Sequence, residues 1–142
     1  MNEPYRPQRL LRSIGAVLAG VLTIIILSIG TDIALHVSGI YPPWGEPIAD
    51  ALFLLATAYR SVYAVAGSYI AARLAPDRPM QHALVPGVVG LALGIVGAVA
   101  AWNGGPELGP KWYPLALIAI AMPCAWVGGR LRGMKPRARD DG

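Results

Sequence analysis

Ten of the twelve Lys and Arg residues in this 142-residue chain fall into three clusters, separated by four long apolar runs. The clusters are Arg6/Arg9/Arg12, Arg73/Arg78 and Arg130/Arg132/Lys135/Arg137/Arg139. If each run crosses a bilayer once, all three clusters fall on one side, which predicts cytoplasmic N- and C-termini by the positive-inside rule. Only Lys111, in the second outer loop, and Arg60, inside the second run, break this pattern.

Composition agrees with that architecture. Hydrophobic residues make up 55% of the chain and charged residues 14%, with a mean hydropathy of +0.50, far from the balance of a water-soluble domain. The length allows one domain. A net charge of +4 invites a nucleic-acid reading. The basic residues flank apolar runs, however, with no basic helix or aromatic-interleaved patch, so nucleic acid is excluded as a partner in favour of the lipid bilayer. Cys124 is the single cysteine and has no Cys or His at metal spacing, so it reads as a small buried hydrophobe. Arg9 and Arg12 ahead of Ser13 resemble the start of a signal peptide. The uncharged stretch from Ser13 to Thr31 outruns the usual h-region, and no small-x-small cleavage site follows, so an uncleaved first span is expected.

The runs predict an all-α polytopic membrane protein: four transmembrane helices in a compact bundle, at about 11–36, 47–74, 83–102 and 112–130. Together they form one domain over residues 1–133, followed by a disordered cytoplasmic tail at 134–142. Strands of an outer-membrane barrel are excluded because the runs are continuous rather than alternating. Loops dense in Gly and Pro connect the spans: Gly39 to Gly45, Ala75 to Pro79 and Asn103 to Pro110. Pro47, Pro86 and Pro114 are expected in first helical turns. Trp44, Trp102, Trp112, Tyr41 and Tyr113 gather at the outer boundary as half of an aromatic belt.

Small residues recur on helix faces. Span 3 carries Gly87, Gly90, Gly94, Gly97 and Ala101 at spacings of three and four, a face for close helix packing. Span 2 carries Ala56, Ala64, Gly67 and Ala71, and span 1 carries Gly15 and Ala19. These rows predict tight packing within the bundle. The same small faces would also suit a homo-oligomer or another membrane protein, with a homodimer seam through span 3 as the sharper form.

Arg60 is the residue that topology does not explain. It lies about 20 Å along the helix from Arg73, in the outer half of its span, where a charge is costly. It shares a face with Ala56, Ala64 and Gly67, so it points into the bundle, with Tyr63 and Thr57 one turn away on either side. Its expected partner is Asp32, which forms a polar stripe on span 1 with Ser28 and His36. Asp50 is the second candidate, although an acidic residue in a first turn also complements the helix dipole. Arg60, Asp32, His36, Asp50 and Tyr63 thus form the candidate intramembrane polar cluster. It would serve either as an ion pair fixing spans 1 and 2 in register or as an outward-facing site for an anion or protons, made pH-sensitive by His36.

No catalytic residues are assigned, because no nucleophile has a base in reach. No cofactor is implied. Only Asp32, His36, Glu46 and Asp50 offer a weak outer cation site, and no metal is assigned. The stretch from Ala58 through Gly67-Ser68-Tyr69-Ile70-Ala71-Ala72-Arg73 to Pro76, continued by Arg78 to Ala83, resembles small bacterial four-span membrane proteins of unknown function. These end span 2 in a Gly-Gly-Tyr-hydrophobic-Ala-Ala-Arg pattern, where Ser68 here replaces the second glycine. The resemblance implies a bacterial inner-membrane location and carries over no binding or catalytic residue. Span 1 lacks the central glutamate of small multidrug transporters. The expected function is therefore a non-enzymatic accessory or interaction component, with a small transporter or channel around Arg60, Asp32 and His36 as the alternative.

Overall fold

A computed structural model describes residues 6–105 and 109–134. Four helices account for most of them: α1 (Arg6–Val37), α2 (Asp50–Leu74), α3 (Pro79–Asn103) and α4 (Trp112–Met134). Each is long and apolar enough to cross a membrane, the composition of a multi-pass membrane protein. At 1.5 Å per residue, α1 runs to about 48 Å and exceeds a bilayer core of about 30 Å.

Several helix boundaries differ from the sequence expectation, each for a local reason. Helix α1 begins ahead of Leu11, because Gln8, Arg9 and Leu10 are good helix formers. Pro47 lies in the loop, not in a first turn. Ala49 is extended (φ −64°, ψ 145°), and the helix starts at Asp50, whose carboxylate faces the positive end of the dipole. Helix α3 begins at Pro79, whose fixed φ suits a first helical position. Pro86 therefore lies inside α3 rather than in its first turn. Pro114 does fall in the first turn of α4. The expected tail lies outside the described residues from 135 onward, as do 106–108 of the second loop.

The ends are fixed by backbone geometry. Gly39 takes φ +80° just past α1, a left-handed conformation that costs glycine little. The chain turns back there, and the Tyr41 amide donates to the Leu35 carbonyl at 3.0 Å. Tyr41 is thereby tucked against the helix end and only 5% exposed.

Helices α2, α3 and α4 pack against one another. Helix α1 lies along α2 and touches α3 more lightly. The core is made of small residues: Ala16, Ser28, Ala56, Ser68, Ala71, Ala83, Ala121 and Ala125 are buried, while Leu, Ile and Val side chains point outward all around the bundle. This pattern matches helix association in lipid, where close backbone approach replaces the hydrophobic drive. The closest approaches to a neighbouring helix's backbone lie toward the end that carries Arg73. A Cβ at Gly20 would come within 2.5 Å of the Gly67 carbonyl oxygen, and one at Gly128 within 2.6 Å of the Val65 carbonyl oxygen.

The row expected on span 1, Gly15 and Ala19, is not the packed one. Gly15 has nothing within 4 Å of a Cβ position. The packed row is Ala16, Gly20, Ile24 and Ser28, which continues the Asp32/His36 stripe backward in steps of four. On span 3 the four glycines divide. Cβ atoms at Gly87 and Gly94 would strike Ala125 and Ile118 of α4 at 2.5 and 2.8 Å, whereas Gly90 and Gly97 have only ordinary contacts at 3.7 and 3.8 Å. Packing explains Gly87 and Gly94 alone.

Candidate functional site

The last turns of α1 and the middle of α2 bring Asp32 and Arg60 together, because the two helices run antiparallel with their small faces in contact. Arg60 Nη2 donates to Asp32 Oδ2 at 2.6 Å. The Tyr59 hydroxyl donates to the other oxygen, Asp32 Oδ1. Both carboxylate oxygens are thus satisfied by neighbouring residues of α2. The Tyr41 hydroxyl lies 3.3 Å from both Tyr59 Oη and the Leu52 carbonyl, which extends the network into the α1–α2 loop. The side chains of Arg60 and Asp32 remain 33% and 22% exposed, so the pair is not sealed in the core.

Tyr63 takes a different place from the one expected. Thr31 Oγ1 gives its proton to the Leu27 carbonyl at 2.7 Å, so the Tyr63 hydroxyl must be the donor in its 2.7 Å bond to Thr31. Among the described residues, Tyr63 reaches the network only through the tilted contact of its ring with Tyr59. It ties α2 to α1 one turn beyond the ion pair. Tyr59, adjacent to Arg60 in sequence, is the hydroxyl that completes the Asp32 site. A counting rule based on one helical face passes over it, because residues straddling a face can both reach a partner on the next helix.

His36 Nδ1 lies 2.7 Å from the Asp32 backbone carbonyl, one turn back on α1. Its ring stacks on Trp44 with centroids 3.6 Å apart, and Tyr41 meets it edge-on. His36 therefore forms part of an aromatic wall rather than a direct ligand of Arg60. Asp50 sits exposed in the first turn of α2, away from the pair.

These residues surround an open vestibule of about 230 Å³ lined by Asp32, His36, Trp44, Glu46, Tyr59 and Arg60, with Phe53 and Tyr113 on the far wall. Phe53 and Tyr113 pack at 4.9 Å and close the α2–α4 side. Asp32, His36, Glu46 and Asp50 do not converge as metal ligands; among the described residues no group of three or more His, Cys, Asp or Glu could hold an ion. Cys124 is half-buried with Ser61 beside it. His82 Nδ1 faces the Arg78 carbonyl at 3.1 Å. At the opposite margins of the bundle, Lys111 lies over Trp102 and Arg130 over Trp126.

The guanidinium of Arg60 is not fully satisfied. Its Nε is buried and has no hydrogen-bond partner. The sequence could mark Arg60 as inward-facing, but not this orphaned donor, which depends on where Asp32 sits across the interface.

Comparison with known proteins returns no match: no family model fits the sequence, and no curated protein or solved structure resembles it significantly.

Proposed function

We propose that this chain is a non-enzymatic component of a bacterial inner membrane, spanning it four times with both termini in the cytoplasm. It works by binding and interaction through a vestibule open to the outer side. The observation that carries this reading is the Asp32–Arg60–Tyr59 network, built on rigid helices and facing an open vestibule instead of a sealed core. An ion pair needed only to hold two helices in register would be expected in a closed interface. The clustered basic residues support the orientation. The lack of a base beside Cys124 supports a role without turnover, since both histidines are engaged elsewhere.

A small transporter or channel is the second reading, favoured by the way Arg60 and Tyr113 border both the vestibule and a deeper cavity. Below Arg60 that path is lined almost wholly by apolar side chains. Toward the Arg73 end the helices meet at backbone distance. An ion following this route would lose its hydration without replacement, which favours binding over translocation.

Reconstitution in proteoliposomes tests the choice. With potassium, chloride and proton gradients applied, the wild-type protein is expected to give no flux above empty vesicles. Flux that disappears in Arg60→Leu/Asp32→Leu would establish the transporter reading instead.

A further inference from the structure

The vestibule holds more aromatic rings than an interfacial belt accounts for. Of the chain's one Phe, six Tyr and four Trp residues, five line it: Tyr41, Trp44, Phe53, Tyr59 and Tyr113. The His36 ring joins them. These rings converge from α1, the loop that follows it, α2 and α4. A belt residue sets its ring among lipid headgroups, whereas Tyr41 is 5% exposed and Tyr59 reaches inward to Asp32. Trp44 is different again. One face of its indole is covered by His36 at 3.6 Å, yet the residue is 72% exposed, which leaves the other face bare.

The hydrogen-bond donors of this wall are mostly spent within it. Tyr59 gives its proton to Asp32 Oδ1, Tyr41 donates to the Leu52 carbonyl, and Arg60 Nη2 donates to Asp32 Oδ2. His36 Nδ1 faces the Asp32 carbonyl and must donate, since a carbonyl oxygen can only accept. The same bonds occupy both oxygens of Asp32. What is left toward the open space is chiefly ring face.

Charge narrows the occupant further. Two carboxylates, Asp32 and Glu46, line the vestibule with the one guanidinium of Arg60, so the lining carries one excess negative charge while His36 is uncharged. An anion reaching Arg60 would lie beside Asp32, where like charges repel. A primary ammonium would need acceptors that Asp32 has already committed. A cation without N–H groups needs only ring faces and an opposing charge, the combination that recognises methylated ammonium heads. The vestibule, at about 230 Å³, falls below the range of about 300–1,000 Å³ typical of drug-sized ligands, so its occupant is small. We propose that the vestibule binds a small quaternary ammonium ion, its methylated head against these rings and the exposed Glu46 supplying the opposing charge. This rests on the reading of the chain as a binding component with an outward vestibule.

The test is calorimetry on the full-length protein in dodecyl maltoside at pH 8, with the heat from protein-free micelles subtracted. Choline should bind about tenfold more tightly than 3,3-dimethylbutanol, its uncharged isostere, and more tightly than methylammonium. Sodium acetate should give no saturable heat. Trp44→Leu should weaken choline binding about tenfold, Trp44→Phe should keep most of the affinity, and Glu46→Gln should weaken it about threefold at low salt. Both side chains are exposed, so the melting temperature should hold in all three variants.

Equal binding of the uncharged isostere, tighter binding of methylammonium or acetate, or unchanged choline affinity in a folded Trp44→Leu would overturn the proposal. If Trp44→Leu unfolds, Glu46→Gln decides, and full affinity there overturns it. An absence of saturable choline heat in the wild type would also overturn it, while the non-translocating reading would still stand or fall by the flux assay. Phosphatidylcholine carries the same head, so nanodiscs distinguish the source. Choline binding seen in phosphatidylglycerol but blocked in phosphatidylcholine assigns the site to the lipid head, and binding in both assigns it to the free ion; either outcome supports the site. Choline flux in proteoliposomes would instead defeat the non-translocating reading and leave binding to be decided by calorimetry.

Discussion

Arg60 is the residue on which the interior of this bundle turns, because its removal leaves a carboxylate stranded. Arg60→Ala should destabilise the protein by about 3 kcal/mol, the cost of breaking one side of a buried pair that is still partly open to its surroundings. Arg60→Leu/Asp32→Leu should recover most of that loss, since it removes both charges together. Denaturant titration in mixed micelles, arranged as a double-mutant cycle, gives the coupling directly. The tyrosines separate in the same experiment. Tyr59→Phe should cost about 1–2 kcal/mol and lose its effect once Asp32 is replaced, because its hydroxyl donates to that carboxylate. Tyr63→Phe should cost about 0.6 kcal/mol whether or not Asp32 is present, since its bond is to Thr31. Equal coupling of both tyrosines to Asp32 would show that the network is wired differently.

At the scale of the helix, glycines that look alike in sequence carry different duties. Alanine at Gly67 or Gly128 would drive a methyl group into the carbonyl of a neighbouring helix. Each substitution should lower the melting temperature sharply or prevent folding. Gly90→Ala and Gly97→Ala should be tolerated, because their Cβ positions meet only ordinary contacts. At Gly15 and Gly30, where nothing lies within 4 Å of a Cβ, alanine should stabilise by about 0.5–1 kcal/mol through its greater helix propensity. Thermal unfolding of the six variants ranks them, and a severe loss at Gly90 or Gly15 would contradict the packing described. The period of four along α1 was visible in Ser28, Asp32 and His36, and carrying it backward would have selected Ala16 and Gly20. Gly15 and Ala19 are small residues one position away, and residue size alone does not reveal which face meets a partner.

For the whole molecule, the distribution of charge predicts an orientation that labelling can test. In a Cys124→Ala background, a single cysteine at Ser38 or Gly105 should react with an impermeant maleimide from outside intact cells. One at Asp77 should react only after the cells are opened. Reversal of that pattern would move the vestibule to the cytoplasmic side and remove the basis for an outward-facing site. The exposed Leu, Ile and Val surface makes a second demand on the molecule as a whole. So much outward apolar area around a core of alanine, serine and glycine is stable only where lipid, rather than water, surrounds the helices.

The sequence by itself determined the four helices, their order and the inward aim of Arg60. Hydrophobic length, charge position and helical periodicity are local properties that act along one segment at a time. Asp32 could likewise be named as a partner, because a stripe of period four on one helix and an isolated charge on the next have few other solutions. Only the tertiary structure decided that Tyr59 rather than Tyr63 completes the carboxylate site. It alone divided the glycines of α3 between α4 and an open groove, and it alone left Arg60 Nε without an acceptor. Those outcomes depend on the relative rotation and spacing of neighbouring helices. That geometry is fixed by many small contacts acting together, and no single stretch of chain encodes it.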